Sequence, residues 1–289
     1  LSIGWHLCQG TIFFKALCYT FCRKMTHPRL IIFAPNVRSG GGLVLLRELM
    51  ETCPFPNAVW LLPEAHELMS TQINLQKHRT FKGGVFPRLS AEYFLYRICS
   101  RDDNVLMFNG SAPLFPIKGS VFIYLQNILL LSDDKFDYQI SSRIRIFIER
   151  FLLTLRASTV KHFFVQTETM EIVLKKFLGK QCLQHKPVMI LPFIKSYHVE
   201  LERVNPNRSQ SPLRFCYPAP LQAYKNHLNL ITAWLEFSKR GGKHELHLTL
   251  SREELMELCA QAGQSRAVTF DSIVCHGQLT HSNSLRLIG

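Results

Sequence analysis

Acidic residues are scarce in this chain. Its 289 residues carry 21 Asp and Glu against 34 Lys and Arg, a formal net charge of +13. That excess favours anionic partners: nucleic acid, acidic lipid or a phosphorylated substrate. Lys and Arg never gather into a run of five or more, which argues against a nucleic-acid-binding tail. Long apolar runs are missing too. No stretch reaches 18 residues, so hydropathy gives no membrane-spanning helix. The strongest run, Gly119 to Leu131, is short and is interrupted by Gln126 and Asn127. The nine cysteines are scattered. The closest pair, Cys18 and Cys22, has no second pair at zinc spacing, so reduced thiols are expected and no metal site is. No G-x-G-x-x-G follows a strand with an acidic residue about 20 positions on, which excludes the usual dinucleotide-dependent oxidoreductase. No G-x-S-x-G elbow and no H-E-x-x-H is found, which removes the common hydrolase readings. Internal repeats and low-complexity tracts are absent.

What is present is an alternation of short branched apolar runs with amphipathic ones. Strands are expected at Arg29–Pro35, Asn57–Leu62, Thr80–Val85, Asn104–Phe108, Ser120–Leu125, His162–Gln166 and Val188–Leu191. Helices are expected at Leu43–Met50, Glu64–Gln72, Arg88–Cys99, Ser141–Leu155 and Thr169–Leu178, with Ser141 or Ser142 capping the fourth. Residues 194–212 then turn polar, as a linker does. The alternation restarts with strands at Leu213–Tyr217, Glu245–Leu250, Val268–Phe270 and Ile273–His276. Helices fall at Asn226–Lys239 and Arg252–Ala262, the latter opened by a Ser251/Glu254 capping box. Strand–helix alternation implies parallel sheets covered by helices on both faces, with ligands beyond the strands' carboxyl ends. The fold class is α/β, two Rossmann-like domains. The boundaries expected are an extension over 1–24, a first domain over 25–195, a linker over 196–212 and a second domain over 213–289.

Four segments carry chemistry. Ser39-Gly40-Gly41-Gly42 follows the first strand, and glycines there let backbone N–H groups approach a phosphate or sugar without a Cβ in the way. The alternative is an ordinary strand–helix turn. Gln126 and Asn127 close the strand Ser120–Leu125. Their amides bond sugar hydroxyls well but transfer no proton at neutral pH. The alternative is a strand-end turn. Thr167 reads as a plain helix cap. In Phe215-Cys216-Tyr217-Pro218-Ala219-Pro220-Leu221-Gln222-Ala223-Tyr224-Lys225-Asn226-His227, a strand and a two-proline loop place Lys225 at a helix start, where backbone N–H groups and the dipole favour an anion. The alternative is a surface lysine beside a cap. The second-half histidines, His227, His244, His247, His276 and His281, show no metal spacing and are expected to be solvated or capping.

Together these segments resemble GT-B glycosyltransferases of family four, in particular bacterial enzymes of surface-polysaccharide synthesis. The resemblance covers roughly residues 29–289. It implies that Gly41, Gly42 and Lys225 bind the donor diphosphate and that Gln126 and Asn127 face the transferred sugar. It also implies a retaining, metal-independent transferase without cofactor. Its partners would be a nucleotide-sugar donor and a glycan or lipid-linked acceptor; the spread of basic residues adds an anionic membrane surface, and the lack of a basic run argues against nucleic acid. The chain departs from the pattern in two ways: no arginine precedes Lys225 in the loop, and the family's pair of glutamates does not occur before Gly289. A C-terminally incomplete second domain is therefore expected, and Met25 is expected as the natural start. The alternative function is an inactive fragment or a non-enzymatic binding module for a phosphorylated ligand. The expected location is the cytoplasm, peripherally at the inner membrane. The basic helix Ser141–Leu155, with Arg143, Arg145 and Arg150, is the surface expected to meet lipid headgroups.

Overall fold

A computed structural model describes residues 29–38, 40–65, 77–108, 110–131, 140–191, 212–222, 225–261, 271–279 and 281–288. These divide into two compact units, one up to Leu191 and one from Pro212. The expectations for residues 1–24, the linker, most of Glu64–Gln72 and Val268–Phe270 lie outside the described residues.

The first unit runs β1 (Leu30–Phe33), α1 (Gly40–Thr52), β2 (Val59–Pro63), β3 (Lys77–Phe81), α2 (Val85–Ile98), β4 (Asn104–Phe108), β5 (Ser120–Leu125), α3 (Ile140–Arg156), β6 (Val160–Val165), α4 (Glu168–Gly179) and β7 (Val188–Ile190). Its seven strands form one sheet in the order β3-β2-β1-β4-β5-β6-β7, and every pair is parallel. A parallel strand covered on both sides needs a near-continuous apolar run, which β1 supplies throughout and β4 and β5 supply after their first residues, Asn104 and Ser120. Successive residues of β1 enter opposite cores. Ile31 and Phe33 join Ala91 and Leu95 of α2, Leu153 of α3 and Leu174 of α4. Leu30 and Ile32 join Leu43, Leu46 and Leu49 of α1. Each such fully buried side chain contributes about 1.5–3 kcal/mol. At the sheet edge β3 turns polar, and exposed Lys77, His78 and Arg79 discourage pairing with another chain.

Three expectations need correction. The strand expected at Thr80–Val85 is β3, which ends at Phe81, and Val85 instead opens α2. Gly83 and Gly84 separate the two, and Gly84 holds φ +116°. Helix α2 accordingly starts three residues before Arg88. Ser141 and Ser142 do not cap α3, because the helix already includes Ile140. Thr167, by contrast, caps α4, its side chain accepting from the Met170 N–H at 3.3 Å.

One ion pair joins the entrances of the two central strands. Arg29, just before β1, donates from Nε to Oδ1 of Asp103 at 3.0 Å and from Nη2 to Oδ2 at 2.6 Å. The same guanidinium reaches the Ile98 carbonyl at the end of α2, and the Ser100 N–H donates to Asp103. Burial alone pushes the Asp103 carboxyl up, but the bonds from Arg29 and Ser100 outweigh it and hold the group below its ordinary value.

The second unit runs β8 (Arg214–Tyr217), α5 (His227–Lys239), β9 (Glu245–Leu248), α6 (Arg252–Gln261), β10 (Ile273–Cys275) and α7 (His281–Ile288). Its parallel sheet has the order β10-β9-β8. Leu246, Leu248 and Ile273 pack on Ile231, Trp234 and Leu235 of α5 and on Leu255 and Leu258 of α6. The capping box at α6 is formed in both directions: the Ser251 N–H donates to Glu254 at 2.8 Å, and the Glu254 N–H donates to the Ser251 hydroxyl at 3.2 Å. The cysteines among the described residues are free thiols.

Asp103→Asn is expected to lower stability at pH 7 by about 1.5–3 kcal/mol, because it removes charge-assisted bonds to Arg29 and Ser100. A carboxyl with a depressed folded pKa stabilises above its unfolded value of about 3.9 and loses that contribution as pH falls through the folded value. The gap between wild type and variant in thermal unfolding should therefore narrow below about pH 4.

Candidate functional site

In the first unit the strand order reverses between β1 and β4, and the crevice at such a point lies outside the strands' carboxyl ends. Helix α1 begins there, directly after β1. Gly40, its first residue, holds φ +68°, a conformation that costs glycine little and other residues much. A Cβ built on Gly40 or Gly41 would meet nothing within 4 Å, so both open onto free space. Gly42 differs: its Cβ would lie 3.3 Å from Oε1 of Gln126 and 3.3 Å from Val37. The structure thus brings together two of the expected residues, Gly42 and Gln126, although 84 positions separate them in the chain (126 minus 42).

The Gln126 amide group carries the chemical interest. Its Nε2 is buried and has no hydrogen-bond partner among the described residues. A buried donor left unmade costs about 1–3 kcal/mol, which a ligand oxygen would recover. Asn127 is committed elsewhere through its oxygen: Oδ1 accepts from the Leu129 N–H at 3.1 Å and starts the short 3-10 turn Ile128–Leu130.

Two cations near this edge were not marked as candidates by the sequence reading. Arg38 donates to the Phe81 carbonyl at 2.7 Å. Arg88 lies 4.9 Å above the Phe33 ring, pairs with Glu92 at 2.6 Å and donates to the Ser111 hydroxyl at 2.9 Å. Glu92 is buried, and desolvation raises its pKa against the pull of Arg88 and of the Leu114 N–H. The i,i+4 spacing of Arg88 and Glu92 was the available signal. Arg88, Glu92 and Ser111 tie α2 to the segment that leaves β4.

Lys225 belongs to the second unit and precedes α5. Its backbone is held at both ends: the Lys225 N–H donates to the Gln222 carbonyl at 2.9 Å, and the Tyr217 hydroxyl donates to the Lys225 carbonyl at 2.7 Å. Asn226 stands at φ +55° and places no side-chain cap on the helix, whose first turn carries no acidic residue. The amino end of α5, with its unpaired backbone N–H groups, thus lies next to the Lys225 backbone.

Two of the five histidines, His227 and His247, depart from the expectation of solvated or capping rings. His227, the first residue of α5, is only 2% exposed. Its Nε2 bonds the Ala219 carbonyl at 3.2 Å, its ring meets Tyr217 edge-on at 5.1 Å, and its Nδ1 is buried without a partner among the described residues. His247 is buried as well, with Nδ1 2.9 Å from Nε2 of His276 and Nε2 3.2 Å from Glu245. Among the described residues no three His, Cys, Asp or Glu side chains converge as a metal site.

No family model matches the chain, and no curated protein matches it. Solved structures do. Anabaena HepE in complex with UDP and glucose superposes with a TM-score of 0.58 at 13% identity, over 90% of this chain and 71% of that one. Its complex with UDP-glucose gives 0.57 at 12%, over the same shares. The α,α-trehalose 6-phosphate synthase of Burkholderia multivorans gives 0.50 at 10%, over 92% of this chain and 74% of that one. The fold is α/β of the GT-B type, built from Rossmann-like units.

Burial pushes the His227 pKa down, as it does that of His276. A base whose folded pKa is depressed withholds stability as pH falls from its unfolded value, about 6.5, toward the folded one. Acidification from pH 7.5 to 5.5 is therefore expected to lower the unfolding temperature. His227→Gln, which keeps a donor for Ala219 but does not titrate, should flatten that decline in a pH series of thermal melts.

Proposed function

We propose that this chain is a glycosyltransferase of the family-four type, which moves a sugar with retention from a nucleotide-sugar donor to a glycan or lipid-linked acceptor in polysaccharide biosynthesis. It works in the cytoplasm, peripherally at an anionic membrane surface, and calls on no cofactor. The observation that carries the reading is the buried Gln126 Nε2, without a partner among the described residues, on a side chain beside Gly42 at the point where the strand order reverses, on a fold shared with a protein solved with UDP and glucose.

The chemistry follows from charge. When the bond between the anomeric carbon and the donor diphosphate breaks, negative charge collects on the leaving oxygens. Preorganised cations and N–H dipoles aimed at that charge lower the barrier. Lys225 and the N–H groups opening α5 are the groups for this task, with Gly41 and Gly42 admitting a phosphate or sugar close to the backbone of α1. Gln126 and Asn127 stay neutral, so their part is to orient sugar hydroxyls and not to move protons. Gln126 is the better placed of the two, because its NH₂ awaits an acceptor while the Asn127 oxygen is engaged in its cap. A non-enzymatic module for a phosphorylated ligand would share the binding but not the release of sugar.

Titration calorimetry with UDP and turnover of UDP-sugars test the reading. Lys225→Ala is expected to weaken UDP binding by about 1.5–3 kcal/mol, roughly 10-fold to 100-fold in Kd. Gln126→Leu should leave UDP affinity near wild type and reduce turnover. Equal UDP affinity in wild type and Lys225→Ala would remove the lysine from the site. Binding without sugar release from any donor would favour the module.

A further inference from the structure

Helices α2 and α3 lie on the same face of the first unit's sheet, since Ala91, Leu95 and Leu153 enter one buried cluster. They are neighbours, since α2 leads into β4 and α3 leaves β5, the strand paired with it. Their outward faces are apolar. On α3 the exposed residues are Ile140, Ile144, Phe147, Ile148, Phe151 and Leu155, with Phe147 at 70% and Phe151 at 57% exposure. At about 100° per residue they form one stripe about 100° wide, lying opposite the inward-facing Leu153 and Ile146. Arg143 flanks the stripe on one side and Arg145 on the other, both exposed. On α2 the exposed series is Val85, Phe86, Leu89, Tyr93 and Tyr96, with Phe86 at 84%. Exposed Lys82 and Arg97 stand at its two ends. The carboxylates on these helices are largely neutralised: Glu92 is buried against Arg88, and Glu149 pairs with Arg145 at 4.0 Å.

Eleven exposed large apolar residues on two adjacent helices are far more than a monomer's surface ordinarily shows in one place. We propose that this two-helix face docks on an anionic bilayer, with the Phe and Ile side chains entering the headgroup boundary and the flanking arginines meeting lipid phosphates. Charge decides between occupants. A second copy docking through the same patch would bring arginines against arginines, because a two-fold interface is self-complementary. An anionic leaflet answers both the cations and the apolar stripe. No helix among the described residues is long and apolar enough to cross a membrane, so the contact lies in the interface plane.

The face also says where an acceptor would come from. In a parallel sheet the crossover helices run back against the strands, so α2 and α3 begin at the carboxyl edge, the edge that holds Gly42 and Gln126. Phe86 and Ile140, at those helix starts, place the bilayer beside the crevice. This part rests on the transferase reading and narrows it to an acceptor whose lipid stays in the membrane while its headgroup enters the site.

Flotation of the full chain with phosphatidylcholine vesicles, with and without phosphatidylglycerol, tests the docking. Wild type is expected to float with the anionic vesicles and less with the neutral ones, and added salt should reduce but not abolish binding. Phe147→Ser/Phe151→Ser should lower the bound fraction about tenfold or more, because apolar burial in the interface is lost. Arg143→Gln/Arg145→Gln should lower it at low salt only. These side chains are solvent-facing, so thermal melts should match wild type, and UDP titration should be unchanged. Wild type that stays at the bottom with anionic vesicles would overturn the proposal, as would a Phe147→Ser/Phe151→Ser variant that floats like wild type. A dimer in light scattering that this variant dissolves would overturn it too, by assigning the face to a second copy. Flotation without UDP binding would uphold the docking and sink the transferase reading, so the two fail separately.

Discussion

The pairing of β1 with β4 is the constraint on which the first unit depends. Arg29 and Asp103 join the amino ends of these strands, and the Asn104 N–H donates to the Arg29 carbonyl at 3.0 Å. With the entrances locked, the register Leu30↔Asn104 through Phe33↔Met107 follows. A slip of one residue would exchange the two apolar sets, sending Ile31 and Phe33 toward α1 and Leu30 and Ile32 toward α2. The register at the amino end also sets where the chain emerges at the carboxyl end. Gly42 meets Gln126 because β1 and β5, the strands that lead to them, are each held to β4 at their amino ends, about 15 Å away at roughly 3.3 Å per residue. Site and clamp thus share β1, at its opposite ends, while Gln126 follows β5, the strand on the far side of β4.

Much of this fold was readable because its signals are local. A strand buried on both faces announces itself by an unbroken branched run, and Asn104–Phe108 and Ser120–Leu125 came out residue for residue. The Ser251/Glu254 box is legible because a cap is a contact between near neighbours. The reading faltered where local composition pointed two ways. Val85 looks like a strand residue, yet Gly83 and Gly84 break the chain before it and it opens α2. Ser141 and Ser142 look like caps, yet the apolar stripe of α3 begins one residue earlier.

The site divides along the same line. The strand–loop–lysine–helix segment around Lys225 and the glycine turn were visible as short motifs. What holds them was not. The Tyr217 hydroxyl on the Lys225 carbonyl, His227 on the Ala219 carbonyl and the approach of Gly42 to Gln126 depend on how strands line up, and no spacing in the chain encodes that. The same holds for the histidines. Without metal spacing the rings read as solvated or capping, but the parity of β9 turns His247 onto a covered face of its sheet, where it bonds His276 and Glu245. The basic character of α3 was legible, but the apolar stripe between its arginines shows only when neighbouring packing is subtracted and six large side chains remain uncovered.

The strand order has a consequence in time. β1 lies in the interior of its sheet, yet about 70 residues separate it from β4, its second neighbour. A ribosome adding about 5–20 residues per second takes about 4 to 14 seconds over that interval. During those seconds Leu30–Phe33 can pair with β2 alone, leaving one side of the most apolar strand open to any other extended chain. β2 in turn gains the charged β3 on its outer side, which closes that flank early. The nascent first unit therefore has one vulnerable edge, and it closes only when Asp103 emerges to meet Arg29.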